Sequence, residues 1–561
     1  MTKQYLLSTL IVIFFCVIAD GKTWHVSADK LAGVKQEDQV RAISEAAALV
    51  EPGDTVVIHN GVYRERVSIE KSGLADKPIT FEAAVGATVI VIGADRISEW
   101  DEIRGEDRIY SAPWPHKFIT WNKHFTHPDD DYHHLIGRCE QVFINGYALR
   151  QVLERDKLAR GTFFVDLDAK QLFVWNYDNQ DIREKRATVE ASVRDQIMVV
   201  KGDYVVIKGI RFRYSANRAQ QGAVEFSGDH LTVEDCLFEH TNASGAAFRG
   251  QDITVYRCTF QHNGQLGFGA GRAHRLRMTD CMVRNNNTKG FNRGWEAGGN
   301  KICLARGVVI ENSTFIENRG NGIWFDIGNE DCTVRNCLIA FNEDSGIFYE
   351  ISYGLHAHDN VIVGNGLAGT PGAWGASAGI SLSSSPDCLV ERNLLIGNKE
   401  GFNFREQTRS TPQIENRKSM PVWNHDQIIR NNVIAYNRDA QTWGWFDVSD
   451  NRHWPAQQDG SDTGGLSLEK LSLTMRENLY FAGPGSELFN WGVTWKKNER
   501  YENLLQVQEE LGLEAGGKVA EPGFKDFSGM DFRVSADSPA VKMQCYPQGS
   551  IPGVQLGILG N

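Results

Sequence analysis

Residues Gly322–Gly354 read GIWFDIGNEDCTVRNCLIAFNEDSGIFYEISYG. The two ends are near copies. GIWFD returns as GIFYE 24 residues later, with an acid, Asp326 then Glu350, at the same place. The phrase between them, VRNCLI, also has relatives on both sides. VEDCLF, VYRCTF and MTDCMV place Cys236, Cys258 and Cys281 at one point, 22 and 23 residues apart. IENSTF, VRNCLI, HDNVIV, VERNLL and RNNVIA then bring Ser313, Cys337, Asn360, Asn393 and Asn432 to it, at steps of 32, 24, 23, 33 and 39. A unit of 22 to 24 residues therefore recurs, lengthened by insertions in three steps. Each unit is a short strand, a polar turn rich in Asn and Gly, and a second short strand that opens on Gly.

Self-similarity at this period marks a solenoid. The Leu skeleton of leucine-rich repeats is missing, and so is the 3.6-residue periodicity of helical repeats. Short strands with Asn at the turns predict an all-β chain, a right-handed parallel β-helix whose coils stack about 4.8 Å apart. Equivalent side chains then form ladders along the axis. Nine of the ten cysteines follow residue 21. Most read as small packing residues of such a ladder rather than as disulfides; Cys332 and Cys337 stay open.

A solenoid needs caps. Between Glu37 and Val50, the residues Val40, Ile43, Ala47 and Val50 fall on one helical face and predict an N-terminal capping helix. GDTVVIHNGVYRERVSI then reads as a first coil. The repeat vanishes from about Trp100 to Glu190, where QVFINGYALRQV, GTFFVDL and QLFVWNY suggest an inserted β-sandwich. It resumes at YVVIKGIRFRY and fades after Pro484, where LLQVQEELGL is a short helix candidate and the rest is expected to pack across the open C-terminal end. The expected divisions are a leader at 1–21, cap and first coils at 22–99, the sandwich at 100–200, the main β-helix at 201–484 and a C-terminal cap at 485–561.

At the N-terminus, Lys3 precedes an apolar run from Tyr5 to Ala19 and a small-residue region. This reads as a secretory signal peptide, with an uncleaved anchor as the alternative, and predicts a secreted or periplasmic protein with no membrane span in the mature chain. The net charge of −12 argues against a nucleic-acid partner. With 55 Gly and 14 Trp the composition suits tight turns and surfaces that stack on sugars.

Aligned on their opening glycines, the second strands carry Arg249, Asp326, Glu350, Ser383 and Arg405 four residues on. Side chains alternate in a strand. Ile323 and Phe325 are expected inside, Trp324 and Asp326 outside, with Phe348 and Glu350 beside them on the next coil. Two carboxyl groups one coil apart lie about 5 Å apart, the separation used by retaining glycosidases. Trp295, Trp324 and Phe348 would supply an aromatic floor. As a bare pattern, two acids on a repeat can equally be a solvated face.

WEAGGNKICLA, GIWFDIGNE and IFYEISYG, in this order and spacing, resemble the β-helix glycosidases of glycoside hydrolase family 120, the β-xylosidases. The resemblance runs from about residue 22 to 365. It implies that Asp326 is the nucleophile and Glu350 the acid/base, with Glu296 and Lys301 contacting substrate. The insertions REQTRSTPQIENRKSMPVW and GWFDVSDNRHWP have no counterpart there and are expected to shape the subsites.

Further substrate contacts are expected from Arg249, Arg405 and Glu406, and a hydrogen bond near the acid/base from His356. Two carboxylates need neither metal nor organic cofactor. A polysaccharide lyase, using Lys301, Arg249 or Arg405 as base and often Ca²⁺, is the rival reading; a non-catalytic carbohydrate-binding solenoid is another. Three weaker signals fit poorly. GASAG (Gly375–Gly379) lacks the helix of a serine elbow, GFGAG (Gly267–Gly271) reads as a turn, and HFTHPDDDYHH (His124–His134) reads as a polar loop with metal binding as its alternative.

Overall fold

The structure is a computed structural model that describes residues 21–106, 108–118, 137–184, 187–368, 377–407, 409–447, 472–493 and 497–559. All of the expected signal peptide except Gly21, the His124–His134 run, Gly375 and most of the GWFDVSDNRHWP insertion fall outside these residues.

Each coil contributes one strand to each of three long sheets. Within the described residues the first sheet has 14 strands, from Gln39–Val40 and Thr23–Val26 to Thr474–Arg476, and the second and third have 13 each. Pairing is parallel throughout, except where Lys497–Tyr501 turns back on Glu487–Val493. The coil interior is filled by the alternate residues of every strand, stacked in register: Phe212, Phe238 and Phe260 lie ring on ring at 5.2 and 4.7 Å.

Two local devices produce the repeat. The residue before each ladder position adopts left-handed backbone; Asp235, Asp280, Asn312, Asn336 and Asp359 have φ of 50 to 55°. Asn and Asp tolerate that region best among non-glycine residues, which explains the polar turn. The opening glycine of each second strand has another cause. A Cβ on Gly322 would meet the Gly346 carbonyl at 2.8 Å, and one on Gly346 would meet the Gly379 carbonyl at 2.6 Å. The coils touch backbone to backbone along this column, so only glycine fits.

The Cys/Ser/Asn column is a buried ladder at the turn between the first and second sheets. Cys258 and Cys281 direct their thiols at the Val233 and Val255 carbonyls of the coil before. Asn360, Asn393, Asn432 and Asn478 continue the column, each amide donating to the next. A second ladder, Asn263–Asn286–Asn318–Asn342–Asn365–Asn398–Asn437, runs at the turn between the second and third sheets. The nine described cysteines, Cys332 and Cys337 included, are free thiols.

The insertion forms a five-stranded and a four-stranded sheet packed on a core that includes Tyr110, Phe163, Leu172 and Ile144. Its first strand is Ala94–Arg96 and its last Val189–Ser192, so it begins six residues before the expected boundary. Met198–Val200 already belongs to the third sheet, pairing with Val67–Ile69 from before the insertion.

The N-terminal helix is shorter than the apolar spacing predicts, Ile43–Leu49. Val40 is drawn instead into a strand pairing with Val26. The helix has no side-chain cap of its own; the Glu65 carboxylate accepts from the Ile43 and Ser44 amides at 2.9 Å each. Leu504–Leu511 is helical as expected, started by Asn503 and ended by a left-handed Gly512. The solenoid itself runs beyond Pro484, with Glu487–Val493 in the third sheet and Lys518–Val519 in the second. The final segment does not cross the open end. Phe532, Ala540, Cys545 and Ile551 instead cover Leu338, Val361, Leu394 and Val433, because the outer face of the second sheet is apolar and needs burial. No helix of the described residues is long and apolar enough to cross a membrane.

Candidate active site

The third sheet carries both acids. Ile323, Trp324 and Phe325 pair with Ile347, Phe348 and Tyr349, which sets Asp326 and Glu350 one rung apart at the ends of their strands. Ile323, Phe325, Ile347 and Tyr349 enter the core, as alternation requires. The column reads Gly271, Cys303, Asp326, Glu350, Ser383, Arg405. Directly after each acid stands an isoleucine in left-handed backbone, Ile327 (φ 58°) and Ile351 (φ 39°). The same corner is left-handed after Gly271, Cys303 and Ser383, at Arg272, Leu304 and Ser384, so the conformation belongs to the repeat, at a cost for these β-branched residues.

Neither acid is open to bulk solvent; both are 7% exposed. Lys301 Nζ meets Asp326 Oδ2 at 2.9 Å and Glu296 Oε1 at 3.3 Å, and sits 4.2 Å from the centroid of the Trp324 ring. Burial alone would lower the lysine, but the Asp326 and Glu296 carboxylates raise it well above its usual range, so it stays charged. Asp326 Oδ1 is buried and has no hydrogen-bond partner among the described residues. Burial raises Glu350, with the Asp326 charge adding to it, while Arg409 and Arg405 pull the other way. Arg409 Nη1 donates to Glu350 Oε1 at 2.9 Å. One carboxyl is thus pinned to a cation with an oxygen to spare, and its neighbour is biased toward keeping a proton.

Other expected residues gather here in part. Glu296 and Trp295 come from a four-residue helix, Arg293–Glu296, and Trp295 stacks on Phe291 at 6.3 Å. Arg293 ties this helix to the next acid's coil through Asp344 at 3.0 Å; burial raises the Asp344 carboxyl to about 6. Trp324 and Phe348 stack at 5.6 Å, but each is only 3% exposed, so they form a covered wall and not the open floor expected. Arg405 is buried in the column two rungs past Glu350, where it biases that acid instead of presenting its guanidinium to solvent.

Three expectations fail on geometry. Glu406 points away from the groove and is fully buried, accepting from the Asn424 amide and the Ser384 hydroxyl. His356 lies in the first sheet, on another face of the coil, and bonds Glu391 at 3.2 Å. The corner after Glu350 turns the chain away from the acid. Arg249 sits three rungs before Asp326, exposed, with Glu225 at 3.7 Å. GFGAG is no turn but the interior of the strand Leu266–His274. Its Gly269 and Gly271 face open space, so the groove beside Lys301 and Cys303 has a bare backbone floor. Ser377 of GASAG runs into the strand Ala378–Ser383, which excludes an elbow.

Arg409 escaped the sequence reading. It sits on a hairpin, Arg409–Pro412 with Ser419–Val422, inside one of the insertions expected to shape the site. The Ile414 amide anchors that hairpin to Glu330, four residues past Asp326.

The family model described as right handed beta helix region matches residues 177–302 and 223–393. The chain is a right-handed parallel β-helix. No curated protein matches it. Among solved structures, one titled as the complex of XylC with xylose superposes with TM-score 0.60 at 18% identity, covering 83% of this chain and 85% of that one. Another, titled glycoside hydrolase, gives TM-score 0.51 at 12% identity over 69% of this β-helix and 94% of its own chain. At these identities the likeness is one of fold.

Proposed function

We propose that the β-helix is an exported glycoside hydrolase that cleaves xyloside-like links of plant or algal glycans with retention. The observation that carries this is the pair Asp326 and Glu350 on adjacent rungs, one held by Lys301 and the other biased toward its protonated form. Asp326 attacks the anomeric carbon and forms an ester as the glycosidic bond breaks. Glu350 gives its proton to the departing oxygen, then takes one from the water that hydrolyses the ester. Lys301 orients the nucleophile, and Glu296 and Trp295 line the sugar's side of the groove. A xylose-bound structure among the fold neighbours agrees with this substrate class. A lyase base finds no support: Lys301 is held charged, Arg405 is buried and Arg249 is three rungs away.

The test is a screen of aryl glycosides and oligosaccharides, with the first-formed anomer followed by NMR. Retention is expected, with kcat lowered about 100-fold or more by Asp326→Asn and by Glu350→Gln. The Glu350 variant should lose least on aryl leaving groups that need no proton. Inversion, an unsaturated product, or full activity in both variants would sink the reading.

A further inference from the structure

We propose that the cavity beside the acid pair takes an anionic substituent, carboxylate or sulfate ester, carried by the glycan. The proposal rests on the glycoside reading above. A cavity of about 330 Å³ lies between the β-helix and the Arg409–Val422 hairpin, with Arg272, His274 and Leu304 on one side and Pro412, Ile414 and Arg417 on the other. This is the size of a small-molecule pocket. Leu304 and Arg272 are the corner residues after Cys303 and Gly271, in the acids' own column. The cavity therefore stands about 5–10 Å along the axis from Asp326, within one or two sugar residues of the reacting bond. On the rung beyond Lys301 and Cys303, Gly269 and Gly271 present no side chain to the groove.

The charged residues that line it are all positive. Arg272 and Arg417 line the cavity, and no carboxylate does. Neither guanidinium has a hydrogen bond or ion pair among the described residues. Nearby Arg306, by contrast, is taken up by Glu330 and Glu415. The Arg306 amide donates to His274 Nδ1 at 3.2 Å, which leaves Nε2 as the ring's N–H donor. Two exposed, unpaired guanidinium forks on the two walls of one cavity suit a carboxylate or sulfate, whose oxygens accept in pairs. A neutral sugar offers only hydroxyl and ring oxygens, which accept without the charge that strengthens the bond.

Glucuronic acid, glucose 6-sulfate and glucose, titrated calorimetrically into the whole protein, test this. The two anions should bind and glucose should bind at least tenfold more weakly. Arg272→Gln/Arg417→Gln should weaken the anions by about tenfold or more, the loss expected for charged hydrogen bonds. Circular dichroism and the thermal midpoint check that the variant is folded. Binding of only one anion would identify the substituent. Equal binding of glucose, or anion affinity unchanged in the double variant, overturns the proposal. The two readings separate cleanly: turnover of a neutral aryl xyloside without anion binding defeats only the pocket, and Arg-dependent anion binding without turnover of any glycoside defeats only the hydrolase.

Discussion

Glu350 must hold a proton near neutral pH if it is to act as an acid, and its surroundings push in opposite directions. Burial and Asp326 raise it; Arg409 and Arg405 lower it. Removing Arg409 therefore moves the carboxyl further up. Arg409→Ala should shift the alkaline limb of the kcat/KM profile to higher pH, measured on an aryl glycoside, whereas a hairpin that merely shields the groove would change the height of the profile and not its position. Asp326 and Glu350 were legible as a pair because strand alternation and a fixed rung place them; Glu296 and Lys301 were expected only through the family resemblance, and Glu296 sits on a short helix that has no strand register. Arg409 was not legible, since a hairpin outside the repeat has no register to read. Arg249, His356 and Glu406 misled for related reasons. A shared offset from glycine does not say how many coils intervene, where a corner turns the chain, or which side chains are sealed beneath others.

At the scale of elements, the turns carry much of the specification. In the second asparagine ladder, Asn342 accepts from the Asn318 amide and side chain and donates to the Phe315 carbonyl and to Asn365. All of this lies in the dry interior. Asn342→Ala strands several buried polar groups at once, and a cost of about 2–4 kcal/mol is expected. It should appear as a lowered midpoint in thermal or urea unfolding followed by circular dichroism; an unchanged midpoint would mean that water replaces the amide. The sequence announced these columns through their spacing, though only half of the story was visible. Which Asn positions bond along the axis depends on the left-handed residue before each, and the N-terminal helix lost its first turn to a strand pairing that helical spacing cannot reveal.

Over the whole molecule, stability should depend on pH through the end of a ladder. The Asn478 side chain and the Tyr480 hydroxyl donate to Glu514, and burial raises this carboxyl from 4.5 to about 7. The folded chain then holds a proton that the unfolded chain has released, so stability falls as pH rises from about 4.5 to 7. The size is on the order of 3 kcal/mol. Glu514→Gln should flatten this window, seen by comparing thermal midpoints at pH 5 and pH 8; an identical pH dependence in both proteins would refute it. At this scale the sequence announced the coils and the insertion well. It misjudged the tail, because the apolar outer face of the second sheet emerges only once the strands are stacked.

Stacking also makes distance a counted quantity. Two side chains on one outward column can stand one step apart or two, about 4.8 or 9.6 Å, and nothing between. Direct attack by a carboxylate suits the single step, and a water between the two acids suits roughly the double. A chain built this way could not drift by degrees from one stereochemical outcome to the other. An acid would have to hop a whole coil, from Glu350 to the place of Ser383, so its evolutionary history should record a jump and no intermediate.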